Sequence, residues 1–220
     1  MNGKTVCRIY LIRHGETANA GEVCFNGHFD VDLSDYGKEQ SRRIAEALKN
    51  LPIKAIYSSD LKRTQIGAQY VAAEHDLKHT PCKELRELGF GDWEGLSVAE
   101  VNRRYPDQLK ERLNDIENFH VEGGESFFQL RDRVIPTFKE IVSAHSHDHI
   151  VILCHGGVIR TILAHILEIS IKNLFRISQH YASVNIIQNY DGGDPVVELM
   201  GGTHENIHPP DSPDKKMSLQ

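Results

Sequence analysis

The segment Leu11 to Thr17 reads Leu-Ile-Arg-His-Gly-Glu-Thr and follows an apolar run, Cys7 to Tyr10, that reads as a strand near the start of the chain. A strand ending in Arg13-His14-Gly15 delivers a guanidinium and an imidazole to the carboxyl edge of a sheet, where open α/β sheets bind ligands. Arg presents a planar fork of donors suited to phosphate, and His is a nucleophile that is partly neutral near pH 7. Gly15 lets the backbone turn sharply there. Phosphoryl transfer through a histidine is the chemistry that fits; a strand end with an incidental surface His is the alternative.

The same design recurs at Ile150-Val151-Ile152-Leu153-Cys154, an unbroken apolar run followed by His155-Gly156-Gly157 and an apolar helix. His155 then sits at a helix N-terminus, whose free N–H groups favour anions. A third strand, Ile56 to Ser58, leads into a helix with Ser59 or Asp60 as N-cap and Arg63 in its first turn. A fourth segment, Leu85 to Gly95, sets Glu87 among glycines and aromatics, where partial burial would raise a carboxyl pKa.

Taken in this order, these segments resemble the histidine phosphatase superfamily, the phosphoglycerate mutase-like group. The likeness runs from Arg13 to Thr17 through Asn26 to Ser34, Tyr57 to Arg63, Glu84 to Gly95, Gly123 to Ser126 and Cys154 to Arg160, and covers nearly the whole chain. It implies that His14 becomes phosphorylated, that Arg13, Arg63 and His155 hold the phosphoryl oxygens, and that Glu87 donates and later accepts a proton. Asn19, Asn26, Gly27 and Gly156 complete the implied phosphate pocket. Where the family places an Asn, this chain has Ala20, with Asn19 one position earlier. A loop shortened by one residue is preferred to a lost amide donor, because loops tolerate deletions better than sites tolerate lost polar contacts.

In that reading neutral His14 attacks phosphorus in line while the cations spread the charge on the equatorial oxygens. Glu87, held protonated by Leu88, Phe90 and Trp93, protonates the leaving alkoxide and then activates water. Two fixed arginines neutralise the phosphate, so neither metal nor organic cofactor is expected. Phe90 to Gly95 resembles the phosphatase branch, in particular α-ribazole phosphatases of cobalamin biosynthesis, whose substrate would be α-ribazole-5'-phosphate. A cofactor-dependent phosphoglycerate mutase is the alternative, and a noncatalytic phosphate-binding scaffold ranks last.

The elements that position these residues alternate strand with helix, which points to a three-layer α/β/α sandwich with a mostly parallel central sheet. Ser34 caps a helix through Lys49, Leu61 to His75 forms a second, and Glu125 to Ala144 a long one bent or restarted at Pro136. A charged helical excursion from Ser97 to about Asn118, interrupted by Pro106, reads as a small cap beside the pocket mouth. Val158 to Leu167 is a further helix. Ser183 to Gln188 and Pro195 to Met200 are late strands around an Asp191 to Asp194 turn. Residues 1–200 form one domain, and 201–220, rich in proline, read as a flexible tail.

The 220 residues, 40% hydrophobic, suffice for one sizeable core. A net charge of −6 argues against nucleic acid as a partner, leaving a small phosphomonoester. No apolar stretch approaches the roughly 20 residues of a membrane helix. The N-terminal run, interrupted by Arg8, does not read as a signal peptide. Cys7, Cys24, Cys82 and Cys154 lack CxxC spacing, which fits reduced thiols in a cytoplasm. His145, His147 and His149 read as a solvated loop rather than a metal site. Trp93 reads as an aromatic packed under the cap, Ser126 as either a helix start or a pocket residue, and Arg103-Arg104 as a solvated helix face.

Overall fold

The computed structural model describes residues 5–190 and 193–208. Its centre is a six-stranded sheet built from β1 (Thr5–Arg13), β2 (Ile53–Ser59), β3 (His79–Cys82), β4 (Asp148–Cys154), β5 (Val184–Tyr190) and β6 (Val196–Gly202). The strand order is β3-β2-β4-β1-β5-β6. Strands β3, β2, β4 and β1 run parallel, while β5 and β6 add an antiparallel edge.

Strands β1 and β4 lie in the middle, covered on both faces, which is why they read as nearly continuous apolar runs. Alternate residues serve opposite layers. Ile9, Leu11, Ile150 and Ile152 pack against helices α5 (Phe127–Ser143) and α6 (Gly156–Ile166). Tyr10, Ile12, Val151 and Leu153 face α1 (Asp35–Leu48) and α2 (Lys62–His75). The sandwich expected from the sequence is therefore present.

Two short helices, α3 (Val98–Arg104) and α4 (Gln108–Asn114), form the cap and are separated at Tyr105 to Asp107. Proline at 106 breaks the helix, and Asp107 takes a left-handed φ of 72°. Trp93 lies fully buried beneath the cap, against Phe25 at 5.0 Å and Phe119 at 5.7 Å, with its indole N–H donating to Gln108. Ser126 is a helix start: its hydroxyl accepts from the Gln129 N–H, and α5 continues through Pro136 without interruption.

Several expectations need correction. Strand β3 was absent from the sequence reading because His79-Thr80-Pro81-Cys82 is short, polar and proline-bearing, as an edge strand can be. Residues 201–208 do not form a loose tail. Gly201 and Gly202 finish β6, His204–Asn206 form a 3-10 turn, and Ile207 is buried in the α1/α2 layer. Residues 209–220, and Asp191-Gly192 of the expected turn, lie outside the described residues. His145 is no solvated loop residue, since its ring meets the Tyr57 hydroxyl at 2.8 Å and Asp148 at 3.1 Å. All four cysteines are free thiols, and among the described residues no helix is long and apolar enough to cross a membrane.

A close backbone approach fixes the turn after β1. Gly15 lies on Gly37 in the first turn of α1, and a methyl group on Gly37 would overlap the Glu16 carbonyl. Overpacking typically costs about 1–3 kcal/mol, or roughly 2–4 °C of Tm per kcal/mol in a domain of this size. Gly37→Ala should therefore lower the Tm by several degrees and slow turnover, because Gly15 adjoins His14. Thermal unfolding at wild-type temperature would show that the approach carries no constraint.

Candidate active site

The four parallel strands release the candidate residues along one edge of the sheet. Arg13 ends β1 and pairs in register with Cys154, the end of β4, so His14 and His155 leave adjacent strands at one level. The His14 N–H also donates to the Cys154 carbonyl, and the two rings meet edge to face with centroids 5.2 Å apart. Arg63 comes from the first turn of α2, after β2. Glu87 follows β3 and the short turn Lys83–Leu85.

Hydrogen bonds set the two imidazoles in opposite tautomers. Nδ1 of His14 lies 2.7 Å from the Gly15 carbonyl, which can only accept. Nδ1 therefore carries the hydrogen, and Nε2 of the neutral ring keeps its lone pair. Arg63 Nε, which can only donate, lies 3.3 Å from Nδ1 of His155. There the hydrogen sits on Nε2, which is buried and has no protein partner among the described residues. One ring thus offers a lone pair and its neighbour an N–H donor.

The guanidiniums are held by carbonyls. Arg63, 1% exposed, donates from Nη1 to Phe29 O and from Nη2 to Gly27 O, at 2.9 and 2.6 Å. Arg13 donates from Nη1 to Gln179 O at 2.6 Å and stacks over the Tyr181 ring at 4.4 Å. Its Nε is buried and likewise without a protein partner. Two orphaned donors around the His14 and His155 rings fit an oxyanion, because a buried polar group without a partner is costly.

Burial, then the charges of Arg63 and Arg13, hold the His14 pKa well below the usual histidine range against the opposing Gly15 bond. His155 is lowered in the same way, burial first and Arg63 next. Burial also lowers the pKa of Arg13, and that of Arg63 to about 10, which leaves both guanidiniums charged near neutrality.

Glu87 meets the N-terminus of α6. The Gly157 N–H donates to both carboxylate oxygens, at 3.1 and 3.0 Å, and the Leu88 N–H donates to Oε1 at 2.9 Å. A side chain on Gly157 would overlap this carboxylate. The apolar shield expected around Glu87 is not what surrounds it: Leu88 packs into the main core, Trp93 lies under the cap, and Glu87 interacts electrostatically with four arginines. The alternative Glu87–Arg86 pair is also absent, since Arg86 forks onto Asp60 at 2.6 and 2.7 Å. Neither Ser59 nor Asp60 is the N-cap of α2: that position is Leu61, whose side chain cannot cap, and the Lys62 N–H of the first turn donates instead to Asp30 at 2.8 Å.

Asn19 and Asn26 face each other in a reciprocal amide pair, at 2.7 and 3.1 Å, closing the loop after β1. Gly27, with φ of 40°, offers Arg63 its carbonyl, and Gly156 packs beside Arg13 and Arg160. Sequence reasoning missed the supports. Arg133 forks onto Glu125, with both contacts at 2.7 Å, and donates to the carbonyls of Glu84, Arg86 and Glu87. Glu94 accepts from the N–H groups of His28, Phe29 and Phe90 and ties the two loops together. Tyr181, whose ring lies 5.7 Å from that of His14, was also missed. The groove lined by Phe138, Val142, Leu167 and Pro195 lies apart from these residues.

An α/β sandwich with paired histidines and guanidiniums at parallel strand ends defines a phosphate-handling site. Residues 9–202 match the histidine phosphatase superfamily (branch 1). Phosphoglycerate mutase-like protein 4 of Arabidopsis thaliana is 35% identical over 196 residues, 88% of this chain and 84% of that protein. Glucosyl-3-phosphoglycerate phosphatase of Mycolicibacterium vanbaalenii is 33% identical over 176 residues, 76% and 77% of the two chains. YhfR of Bacillus stearothermophilus superposes with a TM-score of 0.82 at 28% identity, covering 90% of this chain and 98% of that one. Relatives named as phosphoserine and adenosylcobalamin/alpha-ribazole phosphatases match as well. The chain belongs to the histidine phosphatase superfamily, and its class is phosphoric monoester hydrolase.

The electrostatics predict a pH profile. Only neutral His14 is a nucleophile, so with its pKa lowered, kcat/KM should persist below pH 6.5 and fall only as pH drops through the lowered value. Replacing Arg63 with Met removes one cause of the lowering. The acid limb should then move to higher pH, though not fully to 6.5, because burial is the larger cause. Comparing both proteins on one substrate cancels the titration of the phosphate itself. An unmoved limb would mean that Arg63 does not act on the protonation of His14.

Proposed function

We propose that this protein hydrolyses phosphomonoesters of small organic alcohols through a phosphohistidine on Nε2 of His14. The observation that carries the reading is the opposite tautomers of His14 and His155. A lone pair and an N–H donor then face one space, with the unpartnered Arg13 Nε beside them. Nε2 of His14 attacks phosphorus as the bond to the alcohol oxygen breaks. Arg13, Arg63 and the His155 Nε2–H take up charge on the equatorial oxygens. Glu87 passes a proton to the departing oxygen; the carboxylate then takes one from water, which attacks phosphorus and frees His14 and inorganic phosphate.

Asn19, Asn26, Gly27 and Gly156 frame this space by holding its loop and its arginines. Among leaving alcohols, α-ribazole is the one implied by the sequence resemblance, and it belongs in a substrate panel beside sugar phosphates and hydroxy-acid phosphates. Four free thiols fit a cytoplasmic location.

Glu87→Gln tests the acid role, because the amide keeps the shape and loses the proton. General acid catalysis typically contributes about 10²–10⁴-fold. Single-turnover phosphorylation of His14 should slow by that order with sugar phosphates and far less with p-nitrophenyl phosphate, whose leaving group needs little protonation. Equal slowing would remove Glu87 from the acid role. Phosphate release without isomerisation of phosphoglycerates separates the hydrolase from a mutase.

A further inference from the structure

The two guanidiniums that face the phosphoryl space are held in different ways. Arg63 is fixed at three nitrogens, by His155 Nδ1 on Nε and by a carbonyl on each terminal nitrogen. The Arg13 side chain has one such contact among the described residues, from Nη1 to Gln179 O, while its buried Nε has none. A planar group held at one corner can swing about that bond, so the aim of Nε must be set by something else. The Tyr181 ring lies against the plane of the group, its centroid 4.4 Å from the guanidinium carbon. That ring is held in turn. Its hydroxyl lies 3.2 Å from Oγ1 of Thr17, which is 1% exposed. The adjoining Ala182, at a left-handed φ of 56°, donates its N–H to the His14 carbonyl, and the Ser183 carbonyl accepts from the Arg13 N–H. Gln179 is buried, with its amide shared between Asn185 and Ser183.

We infer that Tyr181 is a positioning residue for the phosphoryl transfer: its ring holds the Arg13 guanidinium in the plane that aims Nε at the phosphoryl oxygens. The inference rests on the phosphohistidine reading of the site. An aromatic face attracts a guanidinium without taking a hydrogen bond from it. Stacking therefore orients the fork and leaves its in-plane N–H groups for an anion, whereas a second carbonyl would consume one of them. The Thr17 contact stops the ring from sliding off the plane, and the bonds of Ala182 and Ser183 tie the ring's backbone to the same two residues, Arg13 and His14, whose side chains it faces. Tyr181 has no bond to make or break in the reaction; its effect passes through Arg13.

The test is a double-mutant cycle on single-turnover phosphorylation of His14 by p-nitrophenyl phosphate, with wild type, Tyr181→Phe, Tyr181→Leu, Arg13→Met, and Arg13→Met combined with Tyr181→Leu. Tyr181→Leu should slow the step by about 10- to 100-fold, the order expected when a catalytic group is misplaced by about 1 Å. Tyr181→Phe keeps the ring and loses only the Thr17 contact, so it should recover most of that rate. In the Arg13→Met background, Tyr181→Leu should cost no more than about twofold, because the group it orients is gone. A merely structural Tyr181 would slow the step by the same factor with or without Arg13, which would overturn the inference. So would a Leu variant as fast as wild type, or equal slowing by Phe and Leu. The wild type separates the two levels. If it forms phosphohistidine and the cycle is additive, only the role of Tyr181 falls; if it forms none, the reading beneath it falls as well.

Discussion

The structure depends on keeping two buried imidazoles neutral and in opposite tautomers within a cluster of guanidiniums. Protonating either ring would add a positive charge beside Arg13 and Arg63 in a place that water does not relieve, and that cost keeps the His14 lone pair available near neutrality. The tautomers in turn depend on two contacts, the Gly15 carbonyl on one ring and the Arg63 guanidinium on the other. Both contacts follow from the sheet. Strands β1 and β4 must be adjacent, parallel and in register for the rings to meet, and the turn after β1 must pass close to Gly37 for the Gly15 carbonyl to face back.

Glu87 has a different kind of support. It sits on a loop rather than at a strand end, so its position depends on side chains that gather backbone groups. Arg133 draws three carbonyls of the 84–87 segment toward α5, and Glu125 fixes Arg133 while also accepting the Gly89 N–H. Glu94 does the complementary work with N–H groups across two loops. Such polar networks rigidify a site when every member is satisfied, and here each carboxylate and guanidinium has more than one partner. Precision in a loop-borne acid is thereby obtained without burying it in apolar surroundings.

What the sequence shows of this molecule divides along the same line. The residues at strand ends, Arg13, His14 and His155, were legible because a buried parallel strand is an apolar run and its first polar residue marks the carboxyl edge, and Arg63 because it falls in the first turn of the helix that follows such a strand. The two covering layers followed from the alternation of strands with helices. The edge strand at His79 escaped because one neighbour and a proline leave little apolar pattern to read. The supports of Glu87 escaped for a deeper reason. Arg133 and Glu125 are ordinary members of a charged helix and its approach, and only the fold brings the 84–89 loop between them. Local rules offered Ser59 or Asp60 as the cap of α2, but the N-cap is Leu61, Asp60 is taken by Arg86, and the distant Asp30 accepts the first-turn N–H of Lys62. Side chains that act across the fold leave no local trace in the chain.

The central claim concerns one atom, so the most direct measurement locates the phosphoryl group on the ring. The wild-type protein, loaded with p-nitrophenyl phosphate under single-turnover conditions and quenched in base, should yield phosphohistidine that phosphorus NMR assigns to Nε2 of His14. The Nδ1 hydrogen bond to Gly15 leaves that nitrogen alone with a lone pair. Phosphate on Nδ1, on His155 or on no histidine at all would contradict the account.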